Sequence, residues 1–446
     1  MANRGITGQY PSNRIIHVPR RFTDREWGGT ETVVLELAKS QVRRGLEPEI
    51  VTSMALDPRN FQTYQSIPIR RFNYLYPYLG LTPNQKMKLD FKGGNLFSFQ
   101  ILDYLIRQRQ VRVFHAHVLK RLGASVRTAA RLKGIPYVVS IHGGAYDVPK
   151  SEVTKMLEPV RGHGVCEWGK IIGAALGSRK VLDDADWVIC VGESEFEIAS
   201  RSLQHDRISY IPNGVDDRKF RGGFGSVFRE KYKIPKEHYV IGCIGRIDFQ
   251  KNQRVLIESF SELLKVNRAM TLVLVGGVTQ TDYRDELNGL AAHLGVSQHI
   301  RWLDGVPNDS EDLVNAYHAS DVIVLPSIHE PFGIVVLEAW SAGKPVIVSD
   351  VGGLKSLVDD EVTGLKFNPE SSGCEYDLVR KVLWLQQHKK LAAQLAERGH
   401  EEVRSKYRWS IISSRVEQVY GAAEDSFDRR VRWRRVSRKS SATVSA

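Results

Sequence analysis

Cysteine is scarce. Cys166, Cys190, Cys243 and Cys374 are scattered over 446 residues, and no two form a Cys-x-x-Cys pair. This argues against a structural zinc site and fits a chain kept in a reducing cytosol. Long apolar runs are also missing. None approaches the roughly 18–20 residues that cross a bilayer. The opening MANRGITGQYPSNRIIHV has a basic residue but no apolar stretch before a cleavage site. Neither a spanning helix nor a secretory leader is expected, and a cytoplasmic location follows. No Gly-x-Gly-x-x-Gly follows the first strand-like run, which counts against a dinucleotide-binding domain. No Asp-x-Asp metal loop stands out either: the DAD at 184–186 precedes a strand, where a capping role is expected. Neither a metal nor another cofactor is called for.

What is present is ordinary for a globular chain, with 42% hydrophobic and 26% charged residues. The length is too great for one core and predicts two domains of roughly 200 residues each. The net charge is +12, of which seven positive charges lie between Arg429 and Lys439. A basic end of this kind is either solvated and disordered or an electrostatic contact with an anionic surface. Trp433 among the arginines leans toward a membrane rather than nucleic acid.

Short β-branched runs alternate with amphipathic segments. RIIHVP, EPEIVTS, VRVFHAH, PYVVSIHGG and WVICVGES read as strands. TETVVLELAKSQVRRG reads as a helix with Val33, Val34, Leu37 and Val42 on one face and Gly45 as its stop. The pattern restarts after IPNGVD with VIGCIGRI, MTLVLVGG, HIRWLDGV, DVIVLPS and KPVIVSD. The fold class is therefore α/β, with two doubly wound, Rossmann-like domains at 1–212 and 213–407. A helix at 408–425 and a basic, disordered tail at 426–446 follow. Segment 72–99, aromatic and punctuated by Gly and Pro, fits neither pattern. It reads as a long excursion with one short helix, either a ligand-holding loop or a lid packed on the first domain.

In open α/β sheets ligands bind outside the carboxyl ends of the strands. HEPFGIVVLEAWSAGKPVIVSDVGG lies at such an end. A helix is predicted from about Ile334 to Gly343, and its unpaired N–H groups and dipole would hold an anion at Phe332, Gly333, Ile334 and Val335. Glu338 lies one turn on, about 6 Å along the axis, which is the step from a diphosphate to a ribose. It either accepts from ribose hydroxyls or pairs with a buried base. Glu330, in the loop before the helix, would lie on the sugar side. GRIDFQKN supplies Arg246 and Lys251, cations that would stabilise the charge of a departing diphosphate. Gly28 and Gly29 head the first helix, where a bare backbone can approach a ligand. His142 ends VVSIH and either contacts a sugar or is structural; His115 and His117 read as mainly structural.

With these residues in place, the chain resembles the retaining glycosyltransferases of family four over nearly all of residues 12–425. The most specific part is the E-x7-E segment EPFGIVVLE together with GKPVIVSDVGG; IPNGVD, GRIDFQKN, WGGTE and FHAH support it in order. The resemblance implies a GT-B fold, in which two Rossmann-like domains face across a cleft and the last helix crosses back to the first. By position it implies that Glu338 holds the ribose, while Glu330 and the amides of Phe332 to Val335 meet the donor sugar. Arg246, Lys251 and Gly29 would meet the diphosphate, and His142 the sugar. Gly305 and Val306 resemble residues that border the base. Two departures stand out: Gly276-Gly277-Val278 where many relatives have Gly-x-Gly, and Leu354-Lys355-Ser356 where an acidic residue is common.

The expected activity is metal-independent transfer of a sugar from a UDP- or GDP-linked donor to a hydroxyl, with retained anomeric configuration. The acceptor is expected to be a lipid-linked or anionic glycan of envelope polysaccharide synthesis, with peripheral membrane contact through the basic tail. The rivals are a nucleotide-sugar epimerase or hydrolase and a non-catalytic polyanion binder.

Overall fold

The computed structural model of the protein describes residues 12–23, 27–143, 146 and 166–443. Gly144 of the HGG turn, residues 1–11 and the Trp433 side chain lie outside the described residues. Two sheets organise the chain. The first runs Ile208–Tyr210, Trp187–Cys190, Tyr137–Ile141, Val113–Ala116, Arg14–Val18, Glu47–Ser53, Ile67–Phe72, Phe61–Tyr64. Its strands pair in parallel except for the last two, an antiparallel hairpin. That hairpin turns at Gln65 and Ser66, with φ of 48° and 68°. The positive-φ pair suits strand twist but lacks the Asn-Gly signal that marks such turns in sequence. All five residues of Tyr137–Ile141 are buried, as expected where helices cover both faces of a parallel sheet.

The second sheet runs Ile300–Asp304, Met270–Gly276, Tyr239–Ile244, Val322–Leu325, Val346–Ser349, Leu365–Phe367, all parallel. Its order reverses between Tyr239–Ile244 and Val322–Leu325. The loops leaving these two strands, 245–252 and 326–333, therefore diverge and leave a crevice between them. In the first sheet the reversal falls beside Arg14–Val18, whose exit leads to Gly28.

The excursion at 72–99 contains the expected short helix, Pro83–Lys92, started by a capping box in which Thr82 and Gln85 exchange hydrogen bonds. A two-residue strand, Tyr78–Leu79, pairs with Cys166–Glu167, and buried Tyr76, Leu89 and Leu96 pack the excursion on the first sheet.

The chain leaves the first sheet near residue 213 and returns at 409, and the two passages are stitched together. Val215 N–H donates to the Tyr407 carbonyl at 2.8 Å, and Arg408 pairs with Asp217 at 2.8 Å. The last helix then runs back over the first sheet, burying Trp409, Ile412, Val416, Val419, Tyr420 and Ala423 against Ile15, Val113 and Val138. One expectation is corrected here. The helix does not give way to a disordered tail at 426 but continues as Trp409–Thr443. Ser426 is buried, and Arg430 donates to the Asp184 carbonyl at 3.1 Å and pairs with Asp186, so this one basic residue is neutralised by the DAD segment.

Candidate active site

The Pro-Phe-Gly loop is held from behind by glycines. Gly353 N–H donates to the Glu330 carbonyl at 2.7 Å. A methyl group on Gly353 would stand 2.3 Å from the Pro331 carbonyl oxygen, and one on Gly352 2.4 Å from that of Glu330. Gly333, at φ 100°, turns the chain into the helix Ile334–Ser341, which begins where the pattern placed it. Leu354 fills the space beside Gly333, so the departure at this position is a packing residue under the loop.

Glu330 and Glu338 do different things. Glu330 is 9% exposed and pairs with Lys251; Ser327 Oγ also donates to it, at 3.4 Å. Glu338 accepts from the Tyr317 hydroxyl. This partner is a neutral phenol, so the alternative of a buried ion pair does not describe it. Burial pushes the Glu338 carboxyl up, and the Tyr317 hydroxyl and the Lys219 charge offset part of that rise. Tyr317 was not singled out in the sequence. Its phenol is pushed far up by burial and by the Glu338 charge, so it remains a donor.

Arg246 pairs with Asp248 at 3.3 Å and donates to Gln250 at 3.2 Å. Gln250 ties this loop to the opposite one: its side chain donates to the His329 carbonyl, and its own carbonyl accepts from Ile328, both at 2.9 Å. Both expected cations thus stand at the crevice, each balanced by a carboxylate. Gly305, at φ 72°, donates to the Gly276 carbonyl at 3.3 Å, and Val306 packs on the core cluster that contains Phe332 and Val336. Gly276 itself admits no side chain, because a methyl group would meet the Gly245 carbonyl at 2.0 Å.

The first sheet closes on this loop from the other side. A methyl group on Gly143 would stand 2.2 Å from Pro331 Cβ, and one on Gly192 2.8 Å from the Pro331 carbonyl oxygen. Gly143 N–H donates to the Glu195 carboxylate at 3.1 Å. His142, partly exposed, therefore sits next to the loop that carries Glu330. Gly28 caps the helix Gly29–Arg43 without a side-chain bond, and a methyl group on Gly29 would stand 3.6 Å from Ile334 Cδ1. Two helix N-termini, one from each half, thus converge at one place, and unpaired N–H groups there favour an anion. Gly143, Gly192 and Glu195 make this junction, and no periodic pattern announced them.

Residues 27–219 match the model for Glycosyltransferase Family 4, and residues 226–402 match that for Glycosyl transferases group 1. The chain belongs to the group 1 glycosyltransferases. An uncharacterized glycosyltransferase of Methanocaldococcus jannaschii is 26% identical over 93% of this chain and 100% of its own length. A D-inositol 3-phosphate glycosyltransferase of Nocardia farcinica is 28% identical over 76% of this chain and 73% of its own. Among solved structures, Anabaena HepE in complex with UDP and glucose superposes with a TM-score of 0.70 at 17% identity, covering 92% of this chain and 99% of that one. Sucrose-phosphate synthase of Thermosynechococcus elongatus superposes at 0.69. These are GT-B glycosyltransferases, and this group 1 member shares their fold. Its activity is glycosyl transfer, which sets aside a role as a polyanion binder alone. Among the described residues no helix is long and apolar enough to cross a membrane.

Proposed function

We propose that this glycosyltransferase moves a sugar from a nucleoside-diphosphate donor to a hydroxyl, with retention and without a metal ion. The observation that carries the reading is the convergence of two helix N-termini with Arg246 and Lys251 beside Glu330 and one turn from Glu338. The diphosphate would take the N-termini and share the two cations with the carboxylates now paired with them. Glu338, held by Tyr317, would accept from the ribose. Gly305 and Val306 would border the base. HepE binds UDP, which favours a UDP-linked donor over a GDP-linked one.

Glu330 bears on the route by which configuration would be kept. Its pairing with Lys251 leaves a poor nucleophile, so a covalent glycosyl-enzyme is disfavoured. Instead the acceptor oxygen would bond to the anomeric carbon on the face from which the diphosphate leaves, and the departing phosphate oxygen would take the acceptor's proton. Positive side chains and N–H groups would stabilise that leaving group in place of a cation.

For the acceptor, a hollow of about 440 Å³ lies beside Leu119 and Lys120, with Asn95 and Arg179 in its wall. Burial, with Arg20 and Arg121 nearby, lowers the Lys120 pKa. Concentrated positive charge suits an anionic acceptor, such as a lipid-linked glycan of the envelope, and the Nocardia relative is named for an inositol phosphate. The basic end of the last helix would then hold the enzyme at the membrane's inner face.

The test is a transfer assay with the product's anomeric configuration read by NMR. Product should keep the donor's configuration in the presence of EDTA. Replacing both Glu330 and Lys251 by Ala should lower the rate at least about a hundredfold, the usual loss when groups that stabilise a transition state are removed. Normal transfer by that double variant would sink the proposal.

A further inference from the structure

Behind the cleft lies a buried chain of imidazoles that the proposed chemistry does not use. His17 on Arg14–Val18, His115 on Val113–Ala116 and His117 just beyond it are all buried. Three buried histidines this close invite a metal reading. Both ring nitrogens of each, however, already have hydrogen-bond partners. His117 Nδ1 lies 2.8 Å from His142 Nε2, and His117 Nε2 lies 3.0 Å from His17 Nδ1. His17 Nε2 lies 2.8 Å from the Gln41 side-chain oxygen. The Gln41 nitrogen donates to the Tyr420 hydroxyl at 3.1 Å, and that hydroxyl lies 2.8 Å from His115 Nδ1. His115 Nε2 is 2.7 Å from Ser140 Oγ.

Only two orders of donors satisfy such a chain, one for each orientation of the Gln41 amide. A neutral imidazole donates from one nitrogen and accepts at the other. Burial disfavours charge on each ring: His17 and His142 are lowered to about 4, and His115 and His117 lie well below the usual value. With its nitrogen given to Tyr420, Gln41 offers His17 an oxygen, so His17 carries its proton on Nε2. His17 Nδ1 must then accept from His117 Nε2, and His117 Nδ1 must accept from His142 Nε2. The last ring is left with a lone pair on Nδ1, which has no partner among the described residues.

We propose that Tyr420, Gln41, His17 and His117 are positioning residues that hold His142 as the Nε2-protonated tautomer, leaving Nδ1 free at the cleft as a hydrogen-bond acceptor. Resting on the proposed donor site, this gives the histidine a defined partner: a sugar hydroxyl, which can donate to Nδ1, in preference to a carbonyl or carboxylate, which cannot. His142 in this state holds no proton at Nδ1 to give. Gln41 lies on the first helix and Tyr420 on the last, which pack side by side on one face of the first sheet, so the acceptor at the cleft is set from that layer.

The test is the imidazole nitrogen NMR spectrum of the full chain labelled at histidine, with the His142 signal assigned by its loss in His142→Gln. It needs neither donor nor transfer activity, so it can fail independently of the donor-site reading. In the unsubstituted protein at neutral pH, His142 should show the pattern of a neutral ring protonated at Nε2. Gln41→Leu removes the oxygen that orders the chain and should replace that single pattern with an average of two tautomers. Gln41→Glu keeps an oxygen facing His17 and should restore it. If Gln41→Leu does not fold, Tyr420→Phe, which removes only the hydroxyl, serves the same purpose. A His142 protonated at Nδ1, a charged His142, or an unchanged pattern in a folded Gln41→Leu or Tyr420→Phe would each overturn the proposal.

Discussion

Single atoms decide whether the donor loop can exist. Gly353 has no room for a methyl group, because it would meet the Pro331 oxygen at 2.3 Å and Phe332 Cα at 2.6 Å, both backbone atoms. Backbone cannot swing aside as a flexible side chain can, so Gly353→Ala must displace the 330–333 loop. It is expected to cost about 1–3 kcal/mol of stability and to abolish detectable nucleotide binding. Gly289→Ala, on an exposed helix position with no atom near the added methyl group, should be neutral or slightly stabilising. Thermal unfolding and titration of both variants check this; equal behaviour would contradict it. At this scale the sequence was legible where chemistry dictates residue type. Glu330, Glu338, Arg246 and Lys251 stand out because a charged residue beside a buried strand needs a reason. Tyr317 did not stand out, since a tyrosine in an amphipathic helix looks like core until its hydroxyl is seen to meet Glu338.

Elements carry the histidine layer. His17, His115, His117 and His142 come from the ends of three neighbouring parallel strands, and pairing of His17 with His115 in register stacks them. In the sequence only His115 and His117 read as mainly structural, and His142 as a sugar contact or structural. That they touch one another depends on strand order, which single-strand patterns do not contain. Their neutral state has a consequence for stability. His17 is lowered to about 4 by burial, against about 6.5 in an unfolded chain. Between these values the unfolded chain binds more protons than the native one. The stabilisation is therefore complete above about pH 6.5 and is lost as pH falls toward 4, at up to about 1.4 kcal/mol per pH unit for each such group. Denaturant unfolding from pH 7 to 4.5 should show this loss, and His17→Gln should make the dependence shallower. An unchanged slope would show that His17 does not remain neutral in the fold.

The whole molecule is a hinge-like pairing of two sheets joined by two adjacent passages, at 213–217 and 407–409. The alternation of strands and helices made both sheets readable, because parallel βαβ units leave a strong pattern. The hairpin at Phe61–Tyr64 and the short strand Leu365–Phe367 were missed, one for want of a turn signal and the other for want of length. The continuation of the last helix through the basic stretch was missed because its partner, the DAD segment, is far away in sequence. At this scale the central claim is that the two halves share one nucleotide between them. The most direct measurement is calorimetric titration of the protein with UDP, GDP and ADP in excess EDTA, repeated with Glu338→Ala. The account predicts saturable binding of one nucleoside diphosphate, UDP first, unaffected by the chelator and weakened about ten- to a hundredfold by loss of the carboxylate's hydrogen bonds. Absence of binding by all three, binding that requires a divalent cation, or equal affinity in Glu338→Ala would contradict it.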